Sequence, residues 1–144
     1  MSKKPLGSVI SLFISKKEPN TRELRDTLTF ALDGVCEDRF RGKDIERSVL
    51  LVSQKSYDLA KENGITLLDG DLGENILVDF DLYVLPHQSI LHIGDTILEI
   101  CKKSTMCSSL SKINNKLPKL LKDKRGIFAK VIKQGSIKQG DAIY

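Results

Sequence analysis

The chain has 144 residues, of which 40% are hydrophobic and 29% charged, with a formal net charge of +4. This is the profile of one soluble globular domain, with its core at about residues 7–143, and it excludes a disordered chain. No apolar run approaches the roughly 18 residues of a membrane-spanning helix. Three scattered cysteines, Cys36, Cys101 and Cys107, exclude a disulfide framework, a CxxC site and a four-cysteine iron–sulfur cluster.

Along the chain, a basic start (Met1 to Lys4) is followed by an apolar patch broken at Ser11. That pattern reads poorly as a signal peptide, so a cytoplasmic location is expected. Short β-type runs bounded by Gly and Asp then recur. Strands are predicted at 8–15, 27–32, 47–52, 75–79, 81–85, 96–101 and 127–132. A short closing strand is expected between Gly135 and Gly140, and an end strand near Ala142. Turns are predicted at Gly94-Asp95 and Gly140-Asp141. One helix is predicted after the N-cap Ser53, over residues 54–63, with Gly64 marking its end. A second is predicted over 108–116, with Leu110, Ile113 and Leu117 on one stripe and Pro118 as its terminator. Helices are few and do not alternate with strands, which argues against a parallel βαβ sheet. A mostly β fold with two or three short helices follows. Closure into a barrel is favoured because it removes exposed sheet edges.

Charge is unevenly spread. Residues 1–100 hold 12 Lys/Arg against 17 Asp/Glu, a balance of −5, and residues 101–144 hold 11 against 2, a balance of +9. The C-terminal third therefore either meets an anion or presents a solvated lysine face. No stacking-aromatic motif accompanies these basic residues, which counts against single-stranded nucleic acid.

Four segments carry candidate chemistry. The loop from Gly34 to Lys43 holds Asp38, Arg39, Phe40 and Arg41, with Arg47 beyond it. Such a cluster is either a phosphate clamp or a solvated salt-bridged loop. Asp69-Gly70-Asp71-Leu72-Gly73-Glu74-Asn75 is a tight loop whose amides are expected to face a ligand, with Asn75 alternatively bonding its own turn. Cys107 lies in polar sequence near Lys102 and Lys103, at the start of the second predicted helix. There a thiol loses its proton more easily and becomes a nucleophile and soft metal ligand. Its alternative is a small buried core filler, the commonest fate of a free cysteine. Cys101, ending an apolar strand, is read as core. Arg125, the one arginine of the C-terminal third, opens Arg125-Gly126-Ile127-Phe128-Ala129-Lys130-Val131.

In this order the pieces resemble the MOSC domain family, named for the C-terminal domain of molybdenum cofactor sulfurases. The resemblance rests on Gly34 to Val49, Gly70 to Ile76, Ile93-Gly94-Asp95, Cys107, and Arg125 to Val131 with Gly135 and Gly140-Asp141. It covers about residues 7–143, and the length is like that of stand-alone bacterial members. It implies a β-barrel related to the pyruvate kinase barrel domain. It also implies binding of the molybdenum cofactor (molybdopterin) or its sulfurated form. Cys107 would hold molybdenum or carry sulfur, and Asp38, Arg47, Gly73, Glu74, Asn75 and Arg125 would line the cofactor site. Reductase members use attached or separate electron-transfer partners, so a redox or molybdoenzyme partner protein is implied, and no membrane. Two positions depart from the family pattern. Phe40 stands where the family usually has His in Asp-x-His-x-Gly, and Met106 rather than Pro precedes Cys107. The alternative functions are a non-catalytic carrier and an anion- or nucleic-acid-binding barrel. The sequence leaves open whether the domain completes a reaction alone.

Overall fold

The computed structural model describes residues 4–16, 21–104 and 113–144. Eleven strands are described: β1 (Gly7–Lys16), β2 (Thr21–Arg25), β3 (Thr27–Ala31), β4 (Gly34–Val35), β5 (Val49–Ser53), β6 (Ile76–Val78), β7 (Ile90–Ile93), β8 (Thr96–Lys103), β9 (Ile127–Lys133), β10 (Gly135–Lys138) and β11 (Ala142–Ile143). The helices among these residues are α1 (Gln54–Glu62) and α2 (Leu117–Leu120), with 3₁₀ turns at Ile45–Arg47 and Leu82–Val84.

The main sheet runs β11-β7-β8-β9-β5-β6-β1-β2, and β11 pairs again with β1. This closes a seven-stranded barrel, with β2 carried on the outside of β1. A second sheet, β10-β3-β4, completes the mostly β architecture. Closure leaves few open edges, which is the constraint the strand-rich sequence anticipates. All pairings are antiparallel except β5 with β6, where Leu51 faces Ile76. A parallel pair needs a crossover, and α1 provides it. This one βαβ unit sits in a sheet whose other described pairings are antiparallel, so the sheet is not the parallel βαβ type that the sequence argues against.

The strands alternate as a barrel requires. Val49 and Leu51 of β5 and Ile127, Ala129 and Val131 of β9 point into the interior with Leu12, Ile76 and Leu98. Leu50 and Val52 point outward, where Tyr57 and Ala60 of α1 and Leu117 of α2 cover them. Both faces of β5 are therefore covered, and all five of its residues are buried.

Two expectations are corrected. Residues 81–85 form a 3₁₀ turn, not a strand, because the Asp81 side chain accepts from the Tyr83 amide and caps a tight turn. Pro118 does not terminate a helix but sits in the first turn of α2, where its missing amide has no partner to lose. Most of the helix expected at 108–116 lies outside the described residues. Arg47 falls in a 3₁₀ turn just before β5, and β2 and β7 are strands the pattern did not reveal.

Leu51 is fully buried, whereas Val84 is largely exposed. Leu51→Ala is expected to remove about 2–5 kcal/mol of stability, and Val84→Ala less than about 0.5 kcal/mol. Chemical denaturation of the two variants checks this contrast.

Candidate functional site

One end of the barrel carries a cavity of about 470 Å³. Its lining comes from segments far apart in sequence: Arg22 from β2, Asp38, Phe40, Lys43 and Asp44 from the loop after β4, and Arg47, Ser48 and Leu50 at the start of β5. Gly73 and Asn75 precede β6, Ser104 follows β8, and Arg125 and Phe128 frame the start of β9. Five of the sequence-predicted site residues thus meet in one place: Asp38, Arg47, Gly73, Asn75 and Arg125. Cys107 lies outside the described residues, three positions beyond Ser104. Glu74 is not in the lining; it is fully buried behind it.

The floor of the cavity is built by Asp38 and Asn75. Asn75 donates its backbone amide to the Leu50 carbonyl at 2.8 Å, and its carbonyl accepts from the Phe13 amide at 2.8 Å. Its side chain repeats the bridge: Oδ1 accepts from the Leu50 amide at 3.0 Å and Nδ2 donates to the Phe13 carbonyl at 3.2 Å. Nδ2 also donates to Asp38 Oδ1 at 3.3 Å. Asp38 Oδ1 accepts from the Ser15 amide at 2.7 Å, and Oδ2 from the Phe40 amide at 3.0 Å. Both side chains are committed to holding β1, β5 and the loop after β4 together.

The glycine loop behaves differently from the sequence expectation. Its amides turn inward rather than toward a ligand. The Gly70 and Leu72 amides donate to the Tyr57 hydroxyl, the Gly73 amide to the Gly70 carbonyl, and the Asp71 amide to the Leu68 carbonyl. A buried backbone amide must find an acceptor, and here the fold supplies one to each. The contribution of Gly73 is its backbone. Its φ is +86°, a conformation that L side chains rarely adopt, while a Cβ there would meet Arg125 Nη2 at an ordinary contact distance of 3.7 Å.

Arg125 is the group left over. It is 7% exposed, and neither its Nε nor its Nη1 has a hydrogen-bond partner. Arg22 is also deeply placed. It donates to Ser15 Oγ and to the Glu74 carbonyl, while its Nε has no partner. Burial draws the Arg22 pKa down, against the opposing pull of Glu74 and Asp38. Neither arginine forms an ion pair among the described residues. A buried guanidinium with unmet donors is costly unless an anion completes it.

Toward the rim, Arg47 lies over the Phe128 ring at 5.5 Å, and its Nε stands 3.6 Å from Asp44 Oδ2. The lining holds four cations (Arg22, Lys43, Arg47, Arg125) and two carboxylates (Asp38, Asp44). The site is cationic, and its innermost charges are the least compensated.

Glu74 lies behind this floor. Its Oε2 accepts from the Tyr57 hydroxyl at 2.6 Å and the Gly70 amide at 3.1 Å, while Oε1 has no partner. Burial raises its pKa above the ordinary carboxylate range, although the bonds to Oε2 and the charge of Arg22 oppose the shift. Burial first, and then Glu74, raise the Tyr57 pKa.

Lys43 belongs to the loop cluster that the sequence offers as a phosphate clamp, whereas Arg22 and Phe128 are site residues that the sequence does not single out. Arg22 had no motif around it, and Phe128 read as a strand residue. Cys101 is buried in β8, as expected of a core cysteine. No group of three or more His, Cys, Asp or Glu among the described residues has a metal-site arrangement. No helix of the described residues is long and apolar enough to cross a membrane.

Comparison with known proteins adds three observations. The sequence model of the family described as MOSC domain matches residues 28–144. No curated protein sequence matches. Among solved structures, YuaD protein from Bacillus subtilis superposes with a TM-score of 0.83 at 20% identity, over 95% of this chain and 93% of that one. YiiM from Escherichia coli gives a TM-score of 0.71 at 15% identity, over 94% of this chain and 68% of that one. YiiM from Geobacillus stearothermophilus gives 0.67 at 13% identity, over 97% and 73%. These similarities show the shared fold.

Two outcomes test the local chemistry. Asn75→Asp replaces a double donor by an acceptor facing the Phe13 carbonyl and Asp38, and it should cost about 2–4 kcal/mol by denaturant unfolding. The raised Glu74 pKa has a defined sign. Its contribution to stability is fully present below the ordinary carboxylate range and is lost as pH rises through the folded-state value. Glu74→Gln should therefore gain on the wild type steadily from acidic to neutral pH, read from unfolding midpoints across a pH series.

Proposed function

This chain belongs to the MOSC domain family, and from that premise we propose that the cavity binds the molybdenum cofactor, with Arg125 as the anchor of its phosphate. The observation that carries the reading is the buried Arg125 guanidinium, which stands in the lining of the cavity and whose Nε and Nη1 lack partners. Those residues fit a phosphate: a planar guanidinium fork matches two phosphate oxygens, and the low-dielectric surroundings strengthen the attraction.

Within this reading each residue has a distinct task. Arg125 and Arg22 hold the anionic end. Lys43 and Arg47 add charge at the rim, where Phe128 keeps the Arg47 guanidinium flat. Asp38 and Asn75 have their side chains engaged within the fold; they hold β1, β5 and the loop after β4 together. When bound, the cofactor supplies a metal centre suited to redox or sulfur chemistry. Cys107 is the soft ligand or sulfur carrier. Ser104, which lines the cavity, stands three residues before it, and three residues span at most about 11 Å. With Phe40 where the family usually has His, the loop after β4 has no imidazole to move a proton. The reading is therefore binding and sulfur or electron transfer through Cys107, rather than acid–base catalysis from that loop.

Protein expressed with added molybdate is expected to copurify with molybdenum and pterin. Arg125→Met keeps an unbranched apolar stem and removes the charge, and it should lower occupancy about tenfold or more. Cys107→Ser should fold normally and keep pterin but lose most molybdenum or transferable sulfur, because a hydroxyl is a harder ligand and stays protonated near neutral pH. Wild-type protein free of both metal and pterin would overturn the reading. Full occupancy in Arg125→Met would remove Arg125 as the anchor.

A further inference from the structure

We propose that Glu74 is a positioning residue whose protonation state sets how strongly Arg22 receives an anion in the cavity. This rests on the anion-binding reading of the same site. The juxtaposition is direct: Arg22 Nη2 donates to the backbone carbonyl of Glu74, so the guanidinium is tied to the residue whose carboxyl lies behind it. Glu74 never reaches the cavity itself. It is fully buried, and one of its oxygens, Oε1, has no partner at all. It can act on a ligand only through Arg22.

The groups around Glu74 define its choices. Tyr57 of α1 and the Gly70 amide hold Oε2. Arg22 of β2 supplies the nearby positive charge, and Tyr83, buried beside β5, also interacts with the carboxylate. On the far side of Arg22 stand Asp38 and Arg125, and they oppose one another in their effect on it. Arg22 is always charged, so the variable element of the pair is Glu74. Ionised, Glu74 neutralises part of the Arg22 field, and an incoming anion competes with it. Protonated, it leaves that field to the ligand. Binding of an anion and protonation of Glu74 then favour one another, and each site takes up at most one proton from solvent on binding. Burial places this exchange above the ordinary carboxylate range.

Inorganic sulfate is a suitable probe, because it stays a dianion between about pH 5 and about pH 9. Calorimetric titration of the intact protein should show sulfate affinity falling about fivefold to tenfold as pH rises across that range. Glu74→Gln should hold the tight value at every pH. Tyr57→Phe removes the donor to Oε2, and it should move the inflection to higher pH. A merely structural role for Glu74 predicts instead weaker binding in Glu74→Gln at all pH values, with the slope unchanged, and that result would overturn the proposal while leaving the pocket intact. Absence of sulfate binding to the wild type at any pH would sink the anion-binding reading and this inference with it.

Discussion

Buried positive charge without a matching carboxylate is the constraint around which the open end of this barrel is organised. Two guanidinium groups, Arg22 and Arg125, sit where water is scarce, and both carry donors with no acceptor. The nearest acids are engaged elsewhere. Asp38 accepts from the Ser15 and Phe40 amides and from Asn75. Glu74 turns away to meet Tyr57 and Gly70. A fold selected for stability alone gains from pairing such charges or replacing them with apolar groups. Here both residues stand in the lining of the cavity instead.

The barrel explains how the charges are held. β5 and β6 run parallel beside β1, and Asn75 stitches β1 to β5 with main-chain and side-chain bonds at once. This places the glycine loop, the start of β5 and the start of β9 around one opening. The outer layer of α1 and α2 covers Leu50 and Val52, so the strands bearing the site are packed on both faces. Arg22 stands on β2, while Gly73 and Arg125 stand in the loops that lead into β6 and β9, so the sheet fixes where these segments end.

Much of this was legible in the sequence, for identifiable reasons. Short apolar runs punctuated by Gly and Asp predicted most strands, and Ser53 and Gly64 framed α1, because those signals are local. The MOSC resemblance brought Asp38, Arg47, Gly73, Asn75 and Arg125 to one site before any coordinates. What stayed hidden depends on tertiary context. The 3₁₀ turn at Leu82–Val84 looks like a strand because it is an apolar run, of which Leu82 and Tyr83 are buried by distant packing, while its turn is set by the Asp81 side chain. The site membership of Arg22 comes only from the β1–β2 pairing that swings it over Ser15 and Glu74. The inward turn of the glycine-loop amides follows from the Tyr57 hydroxyl, contributed by a helix that precedes the loop. No spacing rule connects those residues.

The claim that the buried guanidinium groups await an anion can be read at the atoms concerned. In a nitrogen-15 NMR titration with inorganic sulfate, the Nε–H resonances of Arg125 and Arg22 should shift saturably and together, with one affinity. Resonances of arginines outside the lining, such as Arg41, already paired with Asp33, should stay in place. Nε–H signals of Arg125 and Arg22 that do not respond, or that respond no more than that of Arg41, would contradict the account.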